Sequence, residues 1–380
     1  MEYELGELLP YEQPADYIVE STDYDDSYKT PVLTAGKSFI IGYTNETKGI
    51  YTKLPVIIFD DFTTSSQYVD FPFKVKSSAM KILSVNSEIA DLKYLFYKMQ
   101  TIQFDSANHK RYWISEYSKI KLDLPTLAEQ QRIVNRIETM FAKLDQAQEK
   151  AQTVLDSFET RKAAILHKAF NGQLKIDNEE LSIEDWEEKK LGEVCESIFD
   201  GDHMPPPKAE SGIPFLVISN VNTGFLSFDN TRYVPNDYYD SLSETRKPKT
   251  GDVLYTIVGS YGIPVLVDSD RAFCFQRHMA LLKPSKLISS RYLWYVLQSN
   301  EMYQKATLIA TGTAQLTVPI KGLRELTIPV PPLNYQLSIV NFLNTVLEKE
   351  SRAKEAAQNV LDQIALVKKS ILARAFRGEM

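Results

Sequence analysis

Residues 125–172 read PTLAEQQRIVNRIETMFAKLDQAQEKAQTVLDSFETRKAAILHKAFNG, and residues 331–378 read PPLNYQLSIVNFLNTVLEKESRAKEAAQNVLDQIALVKKSILARAFRG. The second stretch aligns with the first without a gap, 206 positions further along the chain. About 20 of the 48 aligned positions are identical, and a period this long is too large for a solenoid repeat. The alignment therefore predicts a tandem duplication in which a domain and the helix that follows it occur twice.

Each copy has the pattern of a long helix with one apolar seam. Across residues 127–170 apolar side chains recur at steps of four and three, which is the heptad spacing of a coiled coil. About 44 helical residues span roughly 65 Å at about 1.5 Å per residue, so such a helix needs a partner along its length. The second copy offers that partner. The seam residues are Ile137, Phe141, Leu144, Ala151, Leu155, Phe158, Ile165 and Ala169 in the first copy and Leu343, Leu347, Ala357, Leu361, Ile364, Ile371 and Ala375 in the second.

Polar residues interrupt both seams. Gln148 and Lys162 stand in the first seam, and Lys354 and Lys368 stand in the second. Such residues weaken a coiled coil and help to fix its register. We therefore expect the two helices to pair in one register, antiparallel to each other.

Weaker echoes precede the two helices. Leu5-Gly6-Glu7 matches Leu191-Gly192-Glu193, and the aromatic residues 94–97 match residues 292–295. These matches are mostly apolar, as expected of a shared core. The polar residues differ, since Lys76-Ser77-Ser78 stands where Gln276-Arg277-His278 stands in the second copy. The sequence thus predicts two domains with a common core and unlike surfaces.

The predicted fold class is α+β: two α/β domains separated by two long helices that form an antiparallel coiled coil, in a pseudo-twofold tandem duplication. Buried strands are expected at Val56–Phe59 and Gly251–Val258, and short aromatic helices at Asp91–Thr101 and Ser290–Gln298. The predicted segments are a first domain (1–124), a first helical repeat (125–174), a linker (175–189), a second domain (190–330) and a second helical repeat (331–380).

Composition places the chain among ordinary globular proteins. Its hydrophobic content is 43% and its charged content is 24%. We find neither a signal peptide nor a stretch long enough to span a membrane. The two cysteines, Cys195 and Cys274, favour a reducing compartment, and we expect a cytoplasmic protein. The net charge of -7 argues against a nucleic-acid binder that acts alone, although base gathers locally, as at Lys74, Lys76 and Lys81.

Motifs for catalysis or cofactor binding are missing. The sequence lacks the Gly-x-x-x-x-Gly-Lys-Ser/Thr loop, the Gly-x-Gly-x-x-Gly loop and the Asn/Asp-Pro-Pro-aromatic motif of amino-methyltransferases. Its four histidines lack the spacing of metal ligands. Asp200-Gly201-Asp202 before His203 fits a turn better than a metal site. We therefore predict no catalytic residue, no cofactor and no metal site.

Segments at the borders of the helices are similar to those of a known family. A proline-rich strand end runs into a glutamine at the start of each helix, Ala-Phe-x-Gly closes each helix, and Thr-Gly-Thr-Ala-Gln precedes the second repeat. The residues concerned are 328–333 with Gln336, 124–127 with Gln130, 169–172, 375–378, 251–254 and 311–315. Over nearly its whole length the chain resembles the specificity subunit of type I restriction-modification enzymes.

This resemblance implies a DNA-binding subunit without catalysis of its own. A subunit of this family binds double-stranded DNA and places two copies of a DNA adenine methyltransferase subunit on it, with restriction and translocase subunits added outside. Unlike domains would read unlike half-sites, which gives a bipartite and asymmetric target. No cofactor and no membrane partner is implied.

The polar loops that differ between the two domains are the candidate DNA contacts. Gln and Arg can bind base edges, and Lys and Arg can bind phosphates. The first domain has Ala-Asn-His-Lys-Arg at 107–111 where the second has Thr-Gly-Thr-Ala-Gln. The candidates are Lys76, Ser77, Ser78, Asn108, His109, Lys110 and Arg111 in the first domain and Gln276, Arg277, His278, Thr313 and Gln315 in the second, with Ser65, Ser66, Ser260 and Tyr261 as weaker ones.

Two other functions stay open at this point. A fused nuclease would need a catalytic cluster of acidic residues with lysine, and neither domain shows one. A coiled-coil scaffold with two protein-binding domains would be favoured by loops that lack base-reading residues, whereas the candidate loops contain them.

Overall fold

The computed structural model describes residues 2–36, 38–105, 110–176, 179–180, 184–201 and 206–379. The chain divides into two compact units, which we call unit 1 (Met1–Gln152 with Gln358–Met380) and unit 2 (Thr153–Ala357). Each unit contains an α/β domain and parts of two long helices.

Unit 1 consists of short strands and helices that precede a long helix. Its strands are β1 (Glu2–Glu4), β2 (Tyr11–Glu12), β3 (Thr30–Leu33), β4 (Ile40–Thr44), β5 (Val56–Asp60), β6 (Ser66–Val69), β7 (Lys74–Val75), β8 (Met80–Leu83) and β9 (Lys121–Asp123). Its helices are α1 (Leu5–Leu8), α2 (Leu92–Met99), the start of α3 (Leu127–Phe170) and the end of the C-terminal long helix, Leu333–Ala375. One antiparallel sheet has the order β2–β8–β5–β6, and a second has the order β4–β3–β7 with β3 parallel to β7. β1 pairs with β9 and joins the two ends of the domain.

Unit 2 contains the end of α3 and the second domain. Its strands are β10 (Lys175–Ile176), β11 (Glu179–Glu180), β12 (Glu187–Lys190), β13 (Cys195–Asp200), β14 (Ile213–Leu216), β15 (Arg232–Val234), β16 (Val253–Thr256), β17 (Pro264–Leu266), β18 (Cys274–Phe275), β19 (Met279–Pro284) and β20 (Thr327–Val330). Its helices are α4 (Leu191–Val194), α5 (Asn236–Ser241), α6 (Ser290–Leu297), α7 (Asn300–Ile309), α8 (Ile320–Glu325) and the start of α9 (Leu333–Ala375).

Apart from the β10–β11 pair, the sheets of unit 2 repeat those of unit 1 strand for strand. The order β13–β19–β16–β17 corresponds to β2–β8–β5–β6, and β15–β14–β18 corresponds to β4–β3–β7. β14 is parallel to β18, as β3 is to β7. β12 pairs with β20, as β1 does with β9. This repetition confirms the predicted fold class of two duplicated α/β domains, each followed by a long helix.

Each domain buries an apolar core that extends onto the long helices. In unit 2 the rings of Phe170 from α3 and Tyr292 from α6 meet edge to face at 5.6 Å, and Leu343 of α9 is buried in the same core. In unit 1 the buried Trp113 shares a core with Val134 of α3. Because buried apolar area stabilises by about 25 cal/mol per Å², these contacts hold each helix end on its domain.

A buried glutamine fixes the start of each long helix. Gln130 of α3 and Gln336 of α9 are both 0% exposed. In each, Oε1 accepts the N–H of the residue that caps the aromatic helix at 2.8 Å, and Nε2 donates to two backbone carbonyls at 3.1 and 2.9 Å. The partners are Asp91 N, Ile89 O and Pro125 O for Gln130, and Ser289 N, Leu287 O and Pro331 O for Gln336.

The two long helices pair antiparallel within each unit. In unit 1 the Nζ of Lys368 in α9 lies 2.6 Å from Asp145 of α3, and in unit 2 Lys354 of α9 lies 3.5 Å from Glu159 of α3. Both lysines interrupt the apolar seam, and both pair with an acidic residue of the other helix. This is the behaviour expected of residues that fix the register of a coiled coil.

The apolar seam is buried in part. The buried seam residues are Ile137, Ala151, Ala169, Leu343, Ala357, Ile364 and Ala375. The remaining predicted seam residues are half-buried, so the two-helix seam stays open to solvent along its edges. The small alanines lie at buried positions, where they permit close approach of the helices.

The predicted linker 175–189 contains short strands. β10, β11 and most of β12 lie in it. Its charged composition hid β12 because the side chains of Glu187, Glu188 and Lys190 point to solvent while their backbone pairs with β20. The edge strand therefore lacks the alternating pattern that predicts a strand.

The two cysteines, Cys195 and Cys274, are buried and are not joined by a disulfide bond. Burial raises the pKa of the Cys195 thiol to about 12, so this thiol is unreactive near neutral pH. Within the part of the chain that the structure describes, no helix is both long and apolar enough to cross a membrane.

Candidate nucleic-acid interface

Three loops of unit 1 meet at the end of the central strand β5. Asp61 follows β5, donates its N–H to the carbonyl of Ala79 at 2.9 Å and accepts the N–H of Tyr112 at 2.9 Å. The turn 61–66, the loop 76–79 and the segment 110–113 therefore lie side by side. We call them the first loop cluster.

Three loops of unit 2 meet in the same way at the end of β16. Ile257 donates its N–H to the carbonyl of His278 at 2.9 Å and accepts the N–H of Val318 at 2.8 Å. The turn 257–263, the loop 276–278 and the segment 311–318 form what we call the second loop cluster. Each unit thus has one group of loops at the corresponding end of an equivalent strand, β5 in unit 1 and β16 in unit 2.

Backbone bonds fix the correspondence between the loops of the two clusters. Lys76 N–H bonds the carbonyl of Leu33 at 3.0 Å, and Gln276 N–H bonds that of Leu216 at 3.0 Å. Lys76-Ser77-Ser78 and Gln276-Arg277-His278, which were aligned by sequence, therefore leave equivalent strands. Tyr112 and Val318 are also equivalent, because each donates its N–H to the carbonyl of the residue that follows the central strand, Asp61 or Ile257. Residues 110–111 precede Tyr112, and residues 313–315 precede Val318.

The exposed side chains of the first loop cluster are basic or small. Lys76, Ser78, Lys110 and Arg111 are exposed, as is Ser65, and Ser77 is half-buried. Lys110 forms an ion pair with Glu116, and the ammonium of Lys76 lies 5.7 Å from the ring centre of Tyr24. These contacts orient the two lysines but leave both charges at the surface, where they can attract phosphate.

The second loop cluster is richer in hydrogen-bonding side chains. Ser260, Arg277, Thr313 and Gln315 are exposed, and Gln276 and His278 are half-buried. Burial, and secondly the charge of Arg277, lowers the pKa of His278. The imidazole is therefore neutral at neutral pH and can both donate and accept a hydrogen bond.

Glycines shape the turn of the second loop cluster. Gly259 has φ +72°, and a Cβ there would come within 2.8 Å of the Gln315 side chain. Gly262 has φ +90°, and a Cβ there would come within 2.6 Å of the Tyr303 ring. The backbone of this turn thus passes directly under two side chains, one of them a candidate DNA contact.

Two predicted contacts are placed differently from the expectation. Ser66 is 7% exposed, and its Oγ accepts a hydrogen bond from Gln100 at 2.8 Å. Tyr261 is 9% exposed and stacks on Tyr303 with ring centres 5.5 Å apart. Both side chains support their loops from within the domain instead of facing solvent. Asn108 and His109 lie outside the described residues, as do Asp202 and His203.

Two features of the first loop cluster differ from what the sequence suggested: the burial of two lysines and the role of Asp61. Lys74 and Lys81, which stand beside Lys76 in a basic run, are 3% and 1% exposed and pair with Glu46 and Asp61. Only Lys76 of this run is available at the surface. The structural role of Asp61 was missed, although a lysine in the otherwise apolar strand β8 signals a buried counter-charge.

The chain matches the family model described as type I restriction modification DNA specificity domain at residues 1–155 and 183–363. The specificity subunit of the type I restriction enzyme EcoR124I/EcoR124II of Escherichia coli is 34% identical over 361 residues, covering 90% of this chain and 85% of that protein. The specificity subunit of the type I restriction enzyme MjaVIII of Methanocaldococcus jannaschii is 27% identical over 329 residues, covering 80% of this chain and 74% of that protein.

Solved structures share the fold. The HsdS subunit from Thermoanaerobacter tengcongensis matches with a TM-score of 0.61 at 19% identity, covering 100% of this chain and 97% of that chain. A second match is a chain in a solved structure of the type I R-M system that addresses complex assembly and conformational transition. Its TM-score is 0.72 at 19% identity, and the match covers 100% of this chain and 98% of that chain. At this identity the likeness concerns the fold alone.

Proposed function

Because the chain belongs to the family of type I restriction-modification specificity subunits, we propose that it reads a DNA target in two parts, one with each domain. The family confirms the resemblance that the sequence suggested, and with it the interpretation as a recognition subunit and not an enzyme. We take residues 1–124 and 190–330 as the two reading domains. The observation that carries the proposal is the pair of loop clusters, which occupy equivalent places on a duplicated scaffold and carry unlike polar side chains.

The exposed members of the two clusters, together with the half-buried Gln276, are the proposed DNA contacts. Arg277 can bind guanine through two hydrogen bonds, and Gln276 or Gln315 can bind adenine in the same way. The first domain offers Lys76 and Arg111 for phosphate or guanine. The proposed set also includes the exposed residues Ser65, Ser78, Lys110, Ser260 and Thr313 and the half-buried residues Ser77 and His278. Unlike sets of this kind imply an asymmetric target with two different half-sites.

The proposed partners follow from the family. We infer that the subunit acts in a complex with a DNA adenine methyltransferase subunit, present in two copies, and with restriction and translocase subunits. The duplication supports two copies because each half of the chain repeats the same scaffold for one partner. The net charge of -7 is unfavourable for binding DNA alone, which supports a complex that supplies further phosphate contacts.

The proposed function is tested by methylation mapping. The subunit is co-expressed with its cognate methyltransferase subunit, and methylated adenines are located by long-read sequencing. We expect one motif made of two unlike half-sites with an unspecific gap. In gel shifts the subunit alone is expected to retard this DNA weakly, and the complex strongly. A folded complex that methylates no defined motif would contradict the proposal.

Arg277→Ala is expected to relax one half-site and leave the other unchanged. The loss of a two-bond contact to guanine costs roughly 1–3 kcal/mol, or about tenfold or more in discrimination at one base pair. Arg291→Ala is the matched control, because Arg291 is also exposed but lies in α6, outside the loop cluster. Mapped motifs of the two variants are compared, and an unaltered motif in Arg277→Ala would remove this residue from the proposed contacts.

A further inference from the structure

A buried ion pair lies under the first loop cluster. The Nζ of Lys81 lies 3.2 Å from Oδ2 of Asp61, and both side chains are 1% exposed. Lys81 also donates to Oε1 of Gln13 at 3.2 Å, and its ammonium lies 5.5 Å from the ring centre of Tyr11. Removing two charges from water is costly, and such a pair is seldom more stabilising than apolar residues of the same size. Its presence therefore calls for an explanation other than stability.

Asp61 is the residue that joins the three loops of this cluster. Its backbone bonds Ala79 and Tyr112, as described above. In addition, its Oδ1 accepts the N–H of Trp113 at 2.7 Å. The side chain thus anchors the segment that begins with Lys110 and Arg111. The backbone N–H groups of both Tyr112 and Trp113 are bound by this one residue.

The neighbouring carboxylate acts on a different loop. Oδ1 of Asp60 accepts the N–H groups of Phe62 and Thr63 at 2.8 and 2.9 Å. Asp60 therefore closes its own turn, whereas Asp61 reaches across to the segment 110–113. The two adjacent carboxylates therefore bind different segments of the loop cluster. Asp60 cannot replace Asp61 as the acceptor for the segment 110–113.

The second domain shows that the fold itself does not need the ion pair. The strand registers Phe59–Lys81 and Tyr255–Ala280 correspond, so Ala280 takes the place of Lys81. Ile257 takes the place of Asp61, because it makes the same two backbone bonds. Ile257 and Ala280 are buried, at 3% and 0% exposure. The same scaffold is therefore built with an apolar pair at this point.

We propose that Asp61 is a positioning residue for DNA recognition by the first domain, and that Lys81 serves to balance its buried charge. The carboxylate holds the segment that carries Lys110 and Arg111 against the loop that carries Lys76. Recognition of the first half-site then depends on the acceptor atom Oδ1, and recognition of the second half-site does not. This inference rests on the proposed function, since it assigns a role within the proposed reading surface.

Two double variants separate the effect of losing the hydrogen-bond acceptor of Asp61 from the effect of losing the buried charges of Asp61 and Lys81. Asp61→Leu with Lys81→Met removes both charges and the acceptor. Asp61→Asn with Lys81→Met removes both charges and keeps an oxygen that can accept the Trp113 N–H. Both variants leave no unbalanced buried ion, so both are expected to fold. Folding is checked by the urea unfolding midpoint of the full subunit in its complex with the methyltransferase.

Methylation is then measured on DNA substrates with single base changes in either half-site. The leucine variant is expected to lose about tenfold or more of its discrimination in the half-site read by the first domain, and none in the other. The asparagine variant is expected to keep the discrimination of the wild type at both. A folded leucine variant with wild-type discrimination would overturn the inference, as would a folded asparagine variant that loses discrimination at the first half-site.

The fluorescence of Trp113 provides a readout that does not require DNA. Trp113 is 1% exposed, and the other two tryptophans, Trp186 and Trp294, are replaced by phenylalanine in all proteins compared. Quenching by acrylamide is expected to rise in the leucine variant and to stay at the wild-type level in the asparagine variant. Equal quenching in both would overturn the inference. If the wild-type complex methylates no defined motif, the proposed function fails while this measurement still decides the position of the loop.

Discussion

Replacing Gln336 with methionine is expected to lower the free energy of unfolding by about 3 kcal/mol or more. Methionine has nearly the same length but cannot make the three hydrogen bonds of this side chain. Ser289 N–H and the carbonyls of Leu287 and Pro331 would lose their partner, the Pro331 carbonyl at a buried position and the other two at partly buried ones, and each unsatisfied buried group costs about 1–3 kcal/mol. Urea unfolding followed by circular dichroism measures the loss.

Gln363→Met is the matched control for this variant. Gln363 lies in the same helix and is exposed, so its replacement is expected to change the free energy of unfolding by less than about 0.5 kcal/mol. Gln130→Met is expected to behave like Gln336→Met because its three bonds have the same lengths. A loss below about 1 kcal/mol in Gln336→Met would show that the bonds contribute little.

The glutamine clamp gives a physical reason for the motif that suggested the family. Gln130 and Gln336 follow a proline-rich strand end in both repeats, and each bonds the carbonyl of the proline that precedes its helix. The same side chain bonds the loop before the aromatic helix. A glutamine suits this place because its amide donates two hydrogen bonds and accepts others. The helix therefore leaves each domain in a fixed direction.

The sequence was sufficient to predict the long helices closely. The predicted helix 127–170 coincides with α3, Leu127–Phe170, because many heptad positions contribute to the pattern and Gly172 ends it with φ +62°. The sheets were predicted only in part. Strands as short as β7, Lys74–Val75, are too brief to carry a period, and β12 exposes charged side chains on an edge.

The candidate loops could be aligned from the sequence, but their supports could not. Lys76 and Gln276 were matched correctly because the apolar strands before them correspond. Asp61 and Lys81 pair across antiparallel neighbours, and a single sequence does not show which strands are neighbours. The burial of Ser66 and Tyr261 was missed for the same reason, since Gln100 and Tyr303, which contact them, belong to helical segments elsewhere in the chain.

Lengthening both helices by one heptad is expected to widen the gap between the two half-sites of the proposed target. Each long helix begins in one unit and ends in the other, so added residues lengthen the connection between the two reading domains. Seven residues add about 10 Å at about 1.5 Å each, close to three base-pair steps of about 3.4 Å. A whole heptad also preserves the phase of the apolar seam.

The insertions are placed after Gln148 in α3 and after Ile364 in α9. Both points lie about one helical turn from the ion pair between Asp145 and Lys368 and on the same side of it, so both helices are extended at facing positions and the pairing on either side of the insertions is kept. Methylation mapping of the complex is expected to show both half-sites unchanged and a longer gap. The same heptad inserted into α3 alone is the control, and it is expected to abolish methylation because one helix then outgrows its partner. An active complex with paired insertions and an unaltered gap would show that the helices do not set the spacing.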